Sequence, residues 1–228
     1  MKLSAFFLIL FFFLSIMGRT FQVFTWPSLD FLGESADLVR EPHIQELREA
    51  VVKIDVRRRE GSQIVAGQRG GTGFNISEDG LIVTNRHVVK DAEVILVSFP
   101  EHGFFGAGSV SYLEEADIAV IDIDGENLPV VELSLSDEPV PGDAVTIIGN
   151  PLGYPRVAFS GEIVRYSYRG AVSIMEIKAP IHPGSSGSPV FDEDFKVVGI
   201  VYAVARTENE EETIGVAVPV SELMKLIE

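Results

Sequence analysis

The chain has four histidines, and acid–base chemistry near neutral pH would depend on one of them: His43, His87, His102 or His182. His87 follows an apolar, β-branched segment and precedes two valines, so it is expected just after a strand. A histidine in that position can be purely structural. Its meaning therefore depends on which carboxylate and which nucleophile the rest of the chain offers.

Asp117 and Ser186 are the two candidates for those roles. Asp117 opens an apolar strand pattern, where a partly buried carboxylate needs a donor such as an imidazole N–H. Ser186 lies in residues 182–190 (HPGSSGSPV), between two glycines that allow an unusual backbone path. Such a path can aim the N–H groups of Gly184 and Ser186 at one point, as an oxyanion hole requires. The alternatives are an aspartate that accepts backbone N–H groups and a simple Gly/Ser turn.

The order of the three residues separates the possible folds. An α/β-hydrolase carries its histidine after the nucleophile, and no histidine follows Ser186. Ser188 also breaks the nucleophile-elbow pattern, which needs glycine at that position. The order His87, Asp117, Ser186 fits a two-barrel enzyme, in which the first barrel supplies base and orienting carboxylate and the second supplies the nucleophile.

Composition narrows the classes further. The 228 residues include 18 Lys and Arg against 34 Asp and Glu, a formal net charge of −16, which argues against nucleic acid as a partner. There is no cysteine, so disulfides, thiolate zinc sites and cysteine nucleophiles are excluded. A hydrophobic fraction of 46%, with 21 glycines and 12 prolines, is typical of an all-β protein with many turns.

Short strands separated by turns are expected to position the candidate residues. The Asp79–Gly80 pair predicts a hairpin turn between strands at 72–76 and 81–84. Further strands are predicted from their apolar, β-branched patterns at residues 94–99, 118–123, 144–148, 156–166, 173–177, 197–204 and 213–218. We expect two six-stranded antiparallel β-barrels, over about 51–133 and 143–219, and a C-terminal amphipathic helix over 220–228. The polar residues 134–142 are predicted to connect the barrels.

The N-terminus has a different character. Residues 3–17 are almost wholly apolar, with Lys2 before them and Arg19 after. Residues 1–26 are therefore predicted to be a signal peptide or a membrane anchor that directs export. Residues 27–50 are expected to be a linker with a short helix that Pro42 opens.

Five segments resemble those of HtrA/Deg-type serine proteases. They are the histidine segment at 71–74 (GTGF) and 79–89 (DGLIVTNRHVV), the aspartate strand at 117–120 (DIAV), a second-barrel loop at 149–153 (GNPLG), the nucleophile loop at 183–187 (PGSSG) and the last strand at 215–219 (GVAVP). The resemblance covers about residues 51–228. It implies the protease domain alone, without the PDZ domain that usually follows in this family.

The resemblance also implies roles and partners. His87 would act as general base and then acid, Asp117 would orient it, and Ser186 would form an acyl-enzyme. A strand edge would pair with the substrate backbone, at Ile200, Val201 and Tyr202. Substrates would be exposed or unfolded polypeptides in protein quality control, with no metal or organic cofactor. The family further suggests a homotrimer. The apolar N-terminal segment predicts export to an extracytoplasmic location, in the periplasm or at the outer face of the cytoplasmic membrane.

Departures from the family pattern concern specificity. Ser188 stands where a second glycine is usual, as in glutamyl endopeptidases of the same fold, and Lys178 stands where Asp is common. Residues 179–181 (API) offer no carboxylate to bind a basic side chain. Cleavage after small or medium aliphatic residues is therefore expected, and cleavage after acidic residues, through His182, is the weaker alternative. An inactive binding module and an esterase of the same fold also remain as alternatives.

The apolar N-terminus leads to a first testable prediction. No good cleavage site follows residue 17, so we expect the enzyme to stay tethered to the outer face of the membrane. Extending the apolar stretch to Trp26 would place that indole at headgroup level, with Arg19 reaching an interface. Cell fractionation with N-terminal sequencing should find intact chain in the membrane fraction. A soluble mature protein that begins near Arg19 would show that residues 1–18 are a cleaved signal peptide.

Overall fold

The computed structural model describes residues 30–60, 63–135, 138–206 and 213–227. Within these ranges the chain forms twelve strands, four short α-helices and a 3₁₀ turn at Pro151–Gly153. The strands are β1 (Val51–Glu60), β2 (Gln63–Asn75), β3 (Leu81–Asn85), β4 (Val94–Phe99), β5 (Gly103–Leu113), β6 (Ile118–Ile123), β7 (Ala144–Gly149), β8 (Val157–Arg169), β9 (Val172–Lys178), β10 (Pro189–Phe191), β11 (Val197–Arg206) and β12 (Thr213–Pro219). The helices are α1 (Asp30–Leu38), α2 (Pro42–Glu49), α3 (Arg86–Val89) and α4 (Val220–Ile227).

The strands close into two antiparallel barrels. The first has the order β1-β2-β3-β6-β5-β4, and the second has the order β10-β11-β12-β9-β8-β7. The predicted all-β fold of two six-stranded barrels is confirmed. The hairpin between β2 and β3 is paired as expected, with Phe74 opposite Val83. Strands β1, β5 and β10 are additions to the nine strands predicted from the sequence.

Two strands of the first barrel are buried on both faces. Ile82 and Ile121 face a cluster inside the first barrel, whereas their neighbours Val83 and Val120 face a second cluster. That second cluster also contains buried residues of the second barrel, such as Phe191 and Ile200. Because alternate residues of β3 and β6 meet apolar surroundings on both sides, these strands are continuous apolar runs. They are also the strands next to His87 and Asp117.

Short helices accompany the barrels at both ends of the described chain. Helix α2 buries Ile44, and the His43 ring stacks on Phe195 with a centroid separation of 4.8 Å. Helix α4 buries Val220 and Leu223, as expected for the predicted amphipathic C-terminal helix.

Residues 32–228 form one compact unit that contains both barrels. No helix in the described ranges is long and apolar enough to cross a membrane. The predicted signal peptide or anchor at residues 1–26 lies outside these ranges.

The segment between the barrels is held against β8. The Tyr166 hydroxyl donates to Pro139 O at 2.7 Å, and the Gly142 N–H donates to Ile163 O at 2.8 Å. The phenol is about half-buried, and this burial, with smaller contributions from Glu138 and Asp143, raises the pKa of Tyr166 to about 12. The neutral phenol therefore helps fix the path by which the chain enters the second barrel.

This phenol gives a prediction on stability. Because the folded pKa is above the unfolded value near 10, the contribution of Tyr166 is fully present below pH 10 and is lost as pH rises from 10 to 12. Tyr166→Phe should lower the free energy of unfolding by about 1 kcal/mol at pH 8. Urea unfolding should show that this advantage of the wild type disappears towards pH 12. Tyr168→Phe is the control, because that side chain is 77% exposed, and it should change neither the free energy of unfolding nor its dependence on pH.

Candidate active site

His87 and Asp117 meet because β3 and β6 are antiparallel neighbours. Asn85, the last residue of β3, pairs with Ile118, the first residue of β6. His87, the second residue of α3, therefore lies two residues beyond a strand end that adjoins Asp117. The Arg86 N–H donates to Asp117 O at 2.9 Å, which closes this corner. Asp117 takes a left-handed conformation, with φ of 56°, which aspartate tolerates better than most residues.

The two side chains form a direct pair. The His87 Nδ1 and Asp117 Oδ2 atoms are 2.5 Å apart, and the His87 backbone N–H donates to Asp117 Oδ1 at 3.0 Å. The ionised carboxylate can only accept, so Nδ1 carries the proton and Nε2 is left as the acceptor. The carboxylate is more buried than the imidazole, since their side chains are 18% and 46% exposed. This arrangement orients a base whose free nitrogen is accessible.

Ser186 lies on two consecutive β-turns. Residues 182–185 form the first turn and residues 185–188 the second, and in each the fourth N–H donates to the first carbonyl at 3.0 Å. The third residue of each turn is a glycine with positive φ, 98° for Gly184 and 85° for Gly187. A positive φ at the third position is typical of type II turns and strongly favours glycine. Ser186 is second in its turn, and its backbone path therefore depends on both glycines.

The N–H groups of Gly184 and Ser186, predicted to form an oxyanion hole, point away from the hydrogen bonds that hold the preceding carbonyls. Pro183 O accepts the Leu152 N–H at 2.7 Å, so the N–H of the same peptide unit, that of Gly184, points to the opposite side. The carbonyl before Ser186 closes the second turn, which directs the Ser186 N–H in the same manner. Within the described residues neither N–H has an acceptor. Both amides are therefore available to a substrate oxygen.

Thr72 joins the first barrel to this loop. Its N–H donates to Ser186 O at 2.8 Å, and its Oγ1 donates to Gly184 O at 2.8 Å. The same Oγ1 accepts the Asn150 N–H at 2.9 Å, while Thr72 O accepts the Thr84 hydroxyl at 2.7 Å. Because Thr72 is fully buried, each of these hydrogen bonds satisfies a polar group that would otherwise have no partner. Thr72 and Asn150 are positioning residues whose roles were not predicted from the sequence.

Gly71 is in close contact with both the histidine helix and the nucleophile loop. A Cβ at Gly71 would lie 2.9 Å from Val88 Cγ2 and 3.0 Å from Ser186 O. Val88 is the neighbour of His87 on α3, so any side chain at Gly71 would push the histidine segment and the nucleophile loop apart. In the sequence, the only feature that marks this contact is the pair of glycines on either side of Thr72.

Two of the three residues predicted to pair with a substrate backbone are already bonded within the second barrel. Ile200 is paired on both sides, with β10 and β12. The Val201 carbonyl accepts from Gly187 N–H at 2.7 Å, and its N–H donates to Ser188 O at 2.9 Å. Both residues are thus occupied within the barrel. At Tyr202 the pairing with β12 shifts register, so the strand can receive a substrate backbone only from this residue onward.

Ser188 fills space that Gly149 leaves open. The Ser188 side chain is fully buried, and its Oγ has no hydrogen-bond partner within the described residues. A Cβ at Gly149 would overlap this Oγ. The serine that departs from the family pattern therefore packs against the end of β7.

The surroundings of the loop bear on specificity. Ala179 and Ile181 are buried, and burial lowers the pKa of His182, so its imidazole is neutral near pH 7. Lys178 is exposed at the end of β9. Next to His87 in the sequence, Arg86 forms an ion pair with Glu114, with 2.5 Å between Nη2 and Oε1.

A model of the trypsin-like peptidase domain matches residues 71–200, and the chain belongs to this family. Within it, the chain is similar to proteins named probable periplasmic serine endoprotease DegP-like. One from Pseudomonas fluorescens is 31% identical over 172 residues, covering 74% of this chain and 36% of the relative. One from Chlamydia muridarum is 35% identical over 155 residues, covering 65% and 31%. The predicted HtrA/Deg resemblance is confirmed, and the chain spans about a third of the length of these relatives.

Solved structures agree with the fold. The active form of the Rv3671c protease from M. tuberculosis superposes with a TM-score of 0.72 at 24% identity, covering 83% of this chain and 84% of that chain. A serine endoprotease from Yersinia pestis gives 0.67 at 28% identity, covering 81% and 64%. The first likeness shows the double-barrel fold. The second adds a member of the serine endoprotease class.

The fit between Gly149 and Ser188 predicts a compensated pair of substitutions. Gly149→Ala should lower the free energy of unfolding by about 1–3 kcal/mol, because the new methyl overlaps Ser188 Oγ. Combining it with Ser188→Gly should restore most of this loss, since that Oγ and Cβ are the nearest atoms to the new methyl. Urea unfolding of wild type, both single variants and the double variant gives the coupling free energy. Additive effects of the two substitutions would contradict the proposed fit.

Proposed function

We propose that the protein is a serine endopeptidase in which Ser186 is the nucleophile, His87 the general base and Asp117 the residue that orients it. The observation that carries this proposal is the His87–Asp117 pair, held beside a nucleophile loop whose carbonyls are bonded to Thr72. The same residue types in the same chain order define the triad of two-barrel proteases. Family membership supports the assignment.

The reaction would proceed in two steps. The Ser186 hydroxyl attacks the substrate carbonyl carbon while its proton passes to His87 Nε2, and the carbonyl oxygen becomes an oxyanion. The Gly184 and Ser186 N–H groups donate to that oxyanion. Collapse expels the amine, which takes the proton from His87, and leaves an ester on Ser186. Water then attacks this ester with His87 again as base, releasing the new carboxylate.

Substrates are proposed to be exposed or unfolded polypeptides, cleaved after small or medium aliphatic residues. The stretch before the loop offers buried apolar side chains at Ala179 and Ile181 and no carboxylate. A neutral His182 is a poor partner for a substrate acid, which weakens the alternative of cleavage after acidic residues. An HtrA-like role in protein quality control is part of the proposal, and the similarity to proteins named DegP-like serine endoproteases supports it.

An extracytoplasmic site of action is proposed on two grounds. The relatives are named periplasmic, and residues 1–26 have the composition of an export signal or anchor. Membrane attachment through that segment and assembly into a homotrimer are further parts of the proposal, and the acidic charge argues against nucleic acid.

The choice between the adjacent serines tests the nucleophile. Ser186→Ala should abolish labelling by a fluorophosphonate probe and reduce casein cleavage by roughly 10⁴-fold or more, with the free energy of unfolding nearly unchanged. Ser185→Ala is the matched control and should still be labelled, because the Ser185 hydroxyl is fully buried. An unlabelled wild type would favour an inactive binding module, and labelling with hydrolysis of esters alone would favour an esterase. Labelling of Ser186→Ala would refute the nucleophile assignment.

A further inference from the structure

Arg169, the last residue of β8, contacts the side chain of Tyr202 and the backbone of Glu115. Its guanidinium carbon is 4.9 Å from the centre of the Tyr202 ring, and its Nη2 donates to Glu115 O at 3.4 Å. Glu115 is two residues before Asp117. Tyr202 directly follows Val201, whose backbone binds the nucleophile loop. The arginine therefore connects the segment before Asp117 with β11, the strand whose Val201 is hydrogen-bonded to the nucleophile loop.

The residues that the structure describes leave the charge of Arg169 without a carboxylate partner. Within the described residues no carboxylate oxygen lies within 4.0 Å of its guanidinium. Two other arginines nearby in the sequence or the fold are paired, Arg86 with Glu114 and Arg165 with Glu176. A ring face and one long hydrogen bond to a carbonyl leave most of the five N–H donors of Arg169 unused. The side chain is exposed and so can reach a ligand.

A bound substrate would pass this guanidinium. Because Val201 is engaged with the loop, a substrate strand can pair with β11 only from Tyr202 onward, and Arg169 stacks on that residue. The substrate residue joined to Ser186 lies at the start of this pairing, and the residues next to it in the substrate run along β11. A carboxylate on one of them could form a two-point contact with the planar guanidinium.

We propose that Arg169 is a specificity-determining residue that selects an acidic side chain two to four residues before the scissile bond. The inference rests on the proposed peptidase function and deepens it. The pocket for the residue next to the scissile bond stays apolar, so the acidic preference is separate from the aliphatic one. An exposed ion pair of this kind corresponds to about a 2- to 5-fold preference at low ionic strength.

Internally quenched peptides would test this inference on the purified full chain. Each peptide has valine directly before the scissile bond. It carries Glu, Gln or Lys at one of the three positions before that valine, or at a matched position after the scissile bond. At one preceding position we expect kcat/KM for Glu to exceed that for Lys by about 2- to 5-fold, mainly through KM, with a smaller ratio in 0.5 M NaCl. Arg169→Gln should bring the ratio close to one. Arg165→Gln removes a paired arginine of the same strand and should leave it unchanged.

A binding assay separates this inference from the proposed catalysis. The same peptides, with a fluorophore, are titrated into Ser186→Ala and Ser186→Ala/Arg169→Gln and followed by anisotropy. A binding preference for the Glu peptides that is lost in the variant with Arg169→Gln supports the role proposed for Arg169. If the wild type hydrolyses none of the peptides, that result refutes the peptidase proposal and leaves the binding result as the test of Arg169. An equal preference with and without Arg169, an equal loss in Arg165→Gln, or a preference only after the scissile bond would overturn that role.

Discussion

The hydrogen bonds of Thr72 are the connection on which the candidate site depends. Thr72 belongs to the first barrel, yet two of its polar groups bind the carbonyls of Gly184 and Ser186 in the second. A buried bond of this kind contributes about 1 kcal/mol, whereas an unmade one costs about 1–3 kcal/mol. The two barrels can therefore not slide along each other without leaving several groups unsatisfied. The first barrel therefore contributes to fixing the backbone around Ser186.

The remaining parts of the site are assembled more locally. His87 and Asp117 are brought together by the register of β3 and β6, and this needs nothing from the second barrel. Leu152 holds the Pro183 carbonyl from a turn of the second barrel alone. His87 and Asp117 thus form one local unit and the loop around Ser186 another, and Thr72 and Gly71 contact that loop from the first barrel.

Much of this could be predicted from the sequence, because β3 and β6 are apolar runs and the Asp79–Gly80 turn is a strong local signal. Strand β5 could not, since it is glycine-rich and mostly exposed, and β10 has only three residues. The role of Thr72 depends on contacts with residues about 80 and 110 positions away, which no local pattern encodes. For the same reason the bonding of Val201 to the loop was not foreseen from the sequence.

The fit between Gly149 and Ser188 also constrains how such a sequence can change over time. The two positions are far apart in the chain, yet the space for a methyl group at one is taken by the hydroxyl at the other. An alanine at position 149 would be tolerated only in a lineage that had already lost the serine. The order of substitutions is therefore restricted, and homologous loops transplanted singly into this protein would inherit a clash that neither parent shows.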